Sequence, residues 1–272
     1  MKLSYRTDNN ARAISAFWNV PLDGEDPYEF KAISDDDAEL FVFGILGWPF
    51  NDINAIVREL AQLNPKKLLV RINSIGGDPI DTFALYQGLK NSRAFVTVRI
   101  ESIAASAASF LALAGNEVQA YSSSLMMIHN SSVTTGGNRF ELLEIIDMLE
   151  KIDDNMLEVY TGKTKIGKRE MAAMMKAETL MNAKEMKEKG FIDTIISGKA
   201  AKASFDLSMF ANAPDGFGDV ESTEREKEKA LRDVGFSQKE AKAILAGRKD
   251  GTQRDVEGIE AEVARIINIM KS

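Results

Sequence analysis

The chain of 272 residues contains no cysteine and a single histidine, His129. The missing cysteines exclude disulfides, thiol nucleophiles and cysteine-ligated zinc or iron–sulfur sites, and they are consistent with a reducing compartment. One imidazole also excludes a zinc site built from several histidines. We therefore expect no metal and no cofactor, and any imidazole chemistry must fall on His129.

Long apolar runs and an excess of positive charge are also missing. No segment approaches the roughly 18 apolar residues that cross a bilayer, and the start MKLSYRTDNNARAISAFW lacks the apolar core of a signal peptide. A formal net charge of −7 argues against general nucleic-acid binding, which needs clustered lysine and arginine, although a local basic patch stays open. We expect a cytoplasmic protein that binds neither membrane nor nucleic acid.

Apolar runs alternate with helical periodicity in the first half of the chain. Three short apolar segments predict strands: residues 40–47, 67–73 and 94–100. Two segments between them predict helices: residues 51–64, with Asn51 or Asp52 as the N-cap, and residues 79–92. This alternation indicates helical crossovers between parallel strands, and therefore an α/β fold.

The stretch ESIAASAASFLALAG, residues 101–115, follows the third of these strands and predicts a helix. On a helix, Ser102, Ser106 and Ser109 would share one face, because their spacings of four and three residues place them on one stripe. Small residues on such a stripe ordinarily allow close packing. A serine becomes a nucleophile only where a base and an orienting acid lie beside it.

Two glycines follow the second predicted strand, in RINSIGGD at residues 71–78. Gly76 and Gly77 allow a tight backbone conformation. The loop lacks the Lys-Ser/Thr pair of a phosphate-binding P-loop and the third glycine of a dinucleotide fingerprint. It can instead direct backbone N–H groups at a developing oxyanion, with the start of the serine-bearing helix as a second donor.

The remaining segments complete the predicted organisation. Residues 117–129 predict strands that end at His129, residues 139–162 a long apolar helix, and residues 168–175, 182–190 and 191–197 helix, helix and strand. Composition divides the chain into a polar lead-in (1–38), a domain (39–198), a linker (199–220) and a charged helical tail (221–272). The tail favours binding to a partner or scaffold, with a DNA-reading helix pair as the alternative.

Four motifs, in order and spacing, resemble the Clp-type (caseinolytic) serine peptidases, most closely their bacteriophage and prophage relatives, the Clp-like prohead maturation proteases. The motifs are RINSIGGD, IAASAAS, MMIHN and AETLMNAKEMKEKGFID, within residues 38–198, and the tail segment ALRDVGFSQKEAKAILAG is similar as well. The resemblance implies a Clp/crotonase-like fold of repeated β-α-β units with a protruding handle helix at residues 139–161 and a short helical C-terminal tail.

The resemblance also implies roles for individual residues. The nucleophile falls on Ser106 and the general base on His129. The oxyanion donors fall on the backbone N–H groups of Gly76 and Ala107. Gly77, together with Asn130 after the histidine, is expected to bind substrate.

The acid is the position at which this sequence departs from many family members. It falls on Glu178, where those members have aspartate, although the phage branch commonly has Glu-Thr as here. Glutamate can orient an imidazole, but its extra methylene changes the reach of the carboxylate. Asp193 and Asp153 are the alternative acids.

The function implied by this resemblance is a serine endopeptidase that processes phage scaffold or capsid proteins during head maturation. It would form a homo-oligomeric ring, heptameric by resemblance, in the host cytoplasm or inside the assembling prohead. Three alternatives stay open: a housekeeping Clp peptidase subunit that works with an ATP-dependent unfoldase, a crotonase-type acyl-CoA enzyme, and a non-catalytic shell or scaffold component.

Overall fold

The computed structural model describes residues 28–198 apart from residues 35, 51 and 134. The strands, in chain order, are β1 Tyr28–Ala32, β2 Asp37–Leu46, β3 Lys67–Gly77, β4 Phe95–Ala105, β5 Glu117–Tyr121, β6 Leu125–Ile128, β7 Thr179–Asn182 and β8 Thr194–Ile196. The helices are α1 Ile53–Leu63, α2 Pro79–Asn91, α3 Ala107–Ala112, α4 Arg139–Lys163, α5 Lys168–Lys176 and α6 Ala183–Lys189.

The strands form one mixed sheet in the order β1-β2-β3-β4-β5-β8, and β6 pairs with both β4 and β7. The pairs β2–β3, β3–β4, β4–β5, β4–β6 and β5–β8 are parallel, whereas β1–β2 and β6–β7 are antiparallel. Helix α1 connects β2 to β3, and α2 connects β3 to β4. The predicted α/β architecture with parallel crossovers is therefore confirmed.

The core lies on one face of this sheet. Alternate side chains of β3 and β4 are fully buried there: Leu68, Val70, Ile72, Val96, Val98 and Ile100. Helix α3 adds Phe110, which is fully buried and stacks on Phe83 of α2 with 4.4 Å between the ring centroids. Burial of each large side chain stabilises the fold by about 1.5–3 kcal/mol, which ties α2 and α3 to the sheet.

Strand β4 continues through the first half of the serine stretch, which corrects the prediction that this stretch is helical from its start. Ser102 belongs to β4, and the helix comprises only residues 107–112, so Ser102, Ser106 and Ser109 do not share a helix face. The alanines of the stretch favour a helix intrinsically. Here residues 100–105 are buried on both faces of the sheet, and this tertiary packing overrides the local preference.

Other differences concern the two ends of the domain. Strand β1 lies within the predicted lead-in of residues 1–38 and pairs with β2, and β7 is a strand that periodicity did not predict. Asp52 is the N-cap of α1, accepting hydrogen bonds from Asn54 N–H and Ala55 N–H. The predicted linker and helical tail, residues 199–272, lie outside the described residues.

Candidate active site

Ser106 occupies the one-residue turn between β4 and α3. Its backbone angles are φ 52° and ψ −127°, a conformation that a residue with a Cβ adopts at a cost of about 1–3 kcal/mol. The Ser106 N–H donates to the Met127 carbonyl of β6 at 2.9 Å, and the Ser106 carbonyl accepts from the Ser109 N–H at 2.9 Å. These contacts hold the strained turn and present the Ser106 side chain at the end of the strand.

Strand pairing brings the histidine to this turn. β4 changes its parallel partner along its length, pairing with β5 up to Ile100 and with β6 from Ile103 to Ala105. The last pair, Ala105 with Met127, ends each strand close to its functional residue, because Ser106 follows Ala105 and His129 lies two residues after Met127. Parallel strands end at the same edge of a sheet, so the serine and the histidine meet there.

His129 and Ser106 are in hydrogen-bond contact, with 2.7 Å between His129 Nε2 and Ser106 Oγ. The histidine side chain is buried, at 8% relative exposure. Burial lowers the pKa of His129 below its ordinary value of 6.5, and the negative charge of Glu178, the backbone of Asn130 and the charge of Asp153 oppose this shift. Because burial is the largest of these effects, the imidazole is neutral at pH 7 and can accept a proton.

Glu178 lies beside His129 because of the antiparallel pairing of β6 with β7. The register pairs Met127 with Leu180 and Ile128 with Thr179, so one further step places Glu178 opposite His129. Glu178 has φ 47°, and its N–H donates to the Met175 carbonyl at the end of α5. Its carboxylate is the largest charge effect on the His129 pKa.

The two alternative acids have other partners. The Asp153 carboxylate accepts from Asn130 Nδ2 at 2.5 Å and from the Ser131 N–H at 2.6 Å. The Asp193 carboxylate accepts from the Val118 N–H at 2.8 Å and pairs with Lys163 Nζ at 2.7 Å. Asp153 therefore fastens the segment after the histidine to α4, and Asp193 fastens the start of β8 to β5.

The glycine loop lies directly against the serine turn. A Cβ on Gly76, which has φ +99°, would be 2.6 Å from Ser106 Cβ and 2.9 Å from the Ala107 nitrogen. On Gly77, with φ +149°, a Cβ would be 2.0 Å from the Leu46 carbonyl oxygen. Both positions therefore require glycine, because any side chain would displace either the turn or strand β2.

The expected oxyanion donors differ in their surroundings. The Gly76 N–H donates to Ser74 Oγ at 3.1 Å, so it already has an acceptor in this state. Ala107 is the first residue of α3, and the first N–H groups of a helix have no partner within it. The Asn130 side chain, expected to bind substrate, donates instead to Asp153.

Sequence reasoning missed two side chains that support the turn. Ser109 Oγ donates to the Ser106 carbonyl at 2.5 Å and lies 2.7 Å from the hydroxyl of Tyr160 on α4. The available signal was the spacing of Ile152, Met156 and Tyr160, four residues apart on the buried face of α4. A tyrosine buried on such a face needs a hydrogen-bond partner for its hydroxyl.

The described residues also bear on metal sites and membrane spans. Residues 28–198, with the gaps given above, contain no group of three or more His, Asp or Glu side chains arranged to hold a metal ion. In the same residues no helix is both long enough and apolar enough to span a bilayer.

Comparison with known proteins agrees with this geometry. The family model described as Clp protease matches residues 49–199, more than half of the chain. The ATP-dependent Clp protease proteolytic subunit 1 of Rhodococcus jostii is 30% identical over 166 residues, covering 56% of this chain and 71% of that protein. The ATP-dependent Clp protease proteolytic subunit of Pleurastrum terricola is 27% identical over 154 residues, covering 54% and 78%.

A third relative supports the same assignment. The ATP-dependent Clp protease proteolytic subunit of Deinococcus radiodurans is 28% identical over 149 residues, covering 53% of this chain and 73% of that protein. These alignments span most of each relative, and the family match includes the serine turn, the histidine and the glutamate. The chain therefore belongs to the Clp protease family and is a serine peptidase.

Proposed function

We propose that the chain is a serine endopeptidase in which Ser106 is the nucleophile, His129 the general base and Glu178 the acid that orients the imidazole. The observation that carries this proposal is the 2.7 Å contact between Ser106 Oγ and His129 Nε2 at the strained turn. A serine hydroxyl is a weak nucleophile by itself, and an adjacent neutral imidazole activates it.

The proposed reaction is acyl transfer. His129 Nε2 accepts the Ser106 proton while Oγ attacks the peptide carbonyl carbon, which gives a tetrahedral intermediate with a negatively charged oxygen. The imidazolium then donates its proton to the leaving amine, the peptide C–N bond breaks, and an acyl-serine remains. Water attacks the acyl-serine in the same way, and His129 again accepts and returns the proton.

Glu178 is the proposed acid because it has the largest charge effect on His129 and lies opposite it across β6 and β7. Asp153 and Asp193 have carboxylates that already accept two structural hydrogen bonds or ion pairs each. A carboxylate beside the imidazole stabilises the imidazolium that forms during the reaction and holds the ring in one orientation.

In this proposal the glycine loop stabilises the oxyanion of the tetrahedral intermediate. The Ala107 N–H and the Gly76 N–H are the two proposed donors to the carbonyl oxygen. Gly76 can donate to the oxyanion only if its N–H breaks its hydrogen bond to Ser74 Oγ or donates to both oxygens at once. Gly77 and the main chain of Asn130 are the proposed contacts for the rest of the substrate.

Helix α4 supports a proposal about assembly. One face of its C-terminal half is buried in the domain through Ile152, Met156 and Tyr160. Its N-terminal half exposes large apolar side chains: Phe140, Leu142, Leu143, Ile146 and Met148. Phe140 is 70% exposed. A contiguous apolar surface of this kind favours an interface. We propose that the chain forms rings, heptameric by the resemblance stated above, and that α4 is the handle helix, whose apolar side chains are covered at the contact between two rings.

Two cellular roles fit this peptidase. The motif resemblance favours processing of phage scaffold or capsid protein during head maturation. The names of the relatives, ATP-dependent Clp protease proteolytic subunits, favour a housekeeping peptidase that receives substrates from an ATP-driven unfoldase. The same triad serves both roles, because they differ in how substrate reaches the site.

Replacement of the nucleophile tests the proposed chemistry. We expect Ser106→Ala to abolish covalent labelling by a fluorophosphonate and to lower casein cleavage by roughly 10⁴-fold or more, because the acyl-serine can no longer form. Peptide mapping of the labelled wild-type protein should identify Ser106. Ser102→Ala is the matched control and should retain labelling. Cleavage that survives Ser106→Ala would place the nucleophile elsewhere.

Replacement of the acid tests the assignment of Glu178. We expect Glu178→Gln to lower kcat by about 10²- to 10⁴-fold, because the imidazole loses its orienting charge. The Glu178 charge raises the pKa of His129 against the effect of burial, so its removal should move the acidic limb of the kcat/KM profile to lower pH.

Asp193→Asn is the matched control for this measurement, because Asp193 is bound to Val118 and Lys163. It should leave the pH profile unchanged. If Asp193→Asn moved the acidic limb and Glu178→Gln did not, the acid would have to be reassigned.

The glycine loop gives a steric prediction. We expect Gly76→Ala to lower kcat by about 10²-fold or more, since the new Cβ would displace the Ser106 turn or the Ala107 N–H. Gly162→Ala is the control, because a Cβ at that position meets no atom within 4 Å. Casein cleavage and thermal melting are measured together. Full activity of a folded Gly76→Ala protein would contradict the close approach of this loop.

The two cellular roles predict different requirements. For head maturation, we expect co-expression with a capsid or scaffold protein of the same genome to give defined cleavage products by intact-mass analysis, without added unfoldase. The Ser106→Ala protein should leave that partner intact. Degradation of a folded, tagged substrate only in the presence of a bacterial unfoldase and ATP would establish the housekeeping role instead.

A further inference from the structure

A chain of hydrogen bonds joins three oxygen atoms next to the proposed nucleophile: the Tyr160 hydroxyl, Ser109 Oγ and the Ser106 carbonyl oxygen. The Tyr160 hydroxyl is 2.7 Å from Ser109 Oγ, and Ser109 Oγ is 2.5 Å from the Ser106 carbonyl oxygen. The Tyr160 and Ser109 side chains are both fully buried at 0% exposure. A buried hydroxyl without a partner costs about 1–3 kcal/mol, so the Tyr160 hydroxyl depends on Ser109 Oγ.

The direction of the protons in this chain follows from the chemistry of the groups. A carbonyl oxygen can only accept, so Ser109 must donate its proton to the Ser106 carbonyl. Ser109 Oγ then has only lone pairs left, so the Tyr160 hydroxyl must donate to it. Burial raises the pKa of Tyr160, which keeps its proton on the oxygen throughout the working pH range. Each hydrogen bond in this chain therefore has a fixed direction: Tyr160 donates to Ser109, and Ser109 donates to the Ser106 carbonyl.

The Ser106 carbonyl belongs to the same peptide unit as the Ala107 N–H. This unit is planar and trans, so its C=O and N–H bonds point in opposite directions. The carbonyl accepts two hydrogen bonds from Ser109, one from its hydroxyl and one from its backbone N–H at 2.9 Å. Any group that fixes the direction of this carbonyl consequently fixes the direction of the Ala107 N–H.

From this geometry we propose that Tyr160 and Ser109 are positioning residues that act together on the peptide between Ser106 and Ala107 and direct the Ala107 N–H at the oxyanion. The inference rests on the proposed function, in which Ala107 is an oxyanion donor. Neither side chain touches the substrate. Their effect is on the transition state, where the oxyanion forms, and not on the binding of the substrate ground state.

The strain at Ser106 explains why such support is needed. Its φ of 52° is unfavourable for a residue with a Cβ, so surrounding contacts must hold the backbone in this conformation. The hydrogen bond from its own N–H to Met127 fixes the side of the turn that faces β6, and the Ser109–Tyr160 chain fixes the opposite side. Loss of the chain should therefore release the peptide without separating Ser106 from His129.

The test uses Tyr160→Phe, which removes only the hydroxyl, and a fluorophosphonate probe whose rate of reaction with Ser106 can be saturated. We expect the maximal inactivation rate to fall about 5- to 30-fold, a fraction of the 10²- to 10³-fold loss that follows removal of an oxyanion donor. The probe concentration at half-maximal rate should stay unchanged. With casein as substrate, kcat should fall and KM should not.

Ser109→Ala is the second variant. Because both hydroxyls act through one chain, the double variant should be no slower than Ser109→Ala alone. Thr164→Val is the matched control, since it removes a buried hydroxyl bond to the Tyr160 carbonyl one turn further along α4. It should lower the melting temperature as much as Tyr160→Phe and leave the rates unchanged.

Three results would overturn the inference: unchanged rates in folded Tyr160→Phe, additive losses in the double variant, or equal rate losses in Thr164→Val. Each of these indicates a purely structural role for Tyr160. The proposed function is tested separately by the wild-type protein. If the wild type fails to react at Ser106 at all, the triad assignment fails. If the wild type reacts and Tyr160→Phe reacts equally fast, only the positioning role fails.

Discussion

The left-handed backbone of Ser106 is the constraint on which the rest of the site depends. It changes the chain from strand to helix within one residue, so the side chain stands at the strand end while β4 and α3 both stay in the core. The parallel pairing of β4 with β6 then sets where the histidine can be. The antiparallel pairing of β7 with β6 then determines the position of Glu178. One sheet edge therefore collects three residues that are far apart in the sequence.

Helix α4 is the second organising element, because one face of it contacts both sides of the site. Asp153 and Tyr160 are seven residues apart, which is about two helical turns, so they lie on the same face. Asp153 binds the segment that follows His129, and Tyr160 reaches the turn that carries Ser106 through Ser109. A rigid helix that fastens both segments keeps His129 and Ser106 at a fixed separation.

Much of the fold followed from local patterns in the sequence. The apolar runs of β2, β3 and β4 and the helical spacing of α1 and α2 predicted parallel strands with crossovers, and Asp52 was one of two predicted caps for α1. The ordered motifs pointed to Ser106, His129 and Glu178, and the structure brings these three positions together. The fold predictions succeeded because each rested on residues near one another in the sequence, whereas the catalytic roles of Ser106, His129 and Glu178 stay predictions.

The errors arose where long-range packing decides the outcome. Alanines at 104 and 105 favour a helix locally, but they lie in a strand because small side chains fit where both faces of the sheet are covered. Ser109 was assigned to packing alone, since its bond to Tyr160 spans 51 residues and leaves no local pattern. The hydrogen bond from the Gly76 N–H to Ser74 Oγ was also not predicted, although it is local and joins residues only two positions apart.

That hydrogen bond has a mechanistic meaning in the proposed peptidase. A buried N–H cannot remain without an acceptor, and Ser74 Oγ supplies one at 3.1 Å. A neutral hydroxyl is a weaker acceptor than the charged oxygen of a tetrahedral intermediate. The exchange of one for the other is therefore most favourable after the nucleophile has attacked. In the proposed mechanism, the Ser74 hydroxyl would therefore oppose binding of a ground-state carbonyl more than binding of the oxyanion.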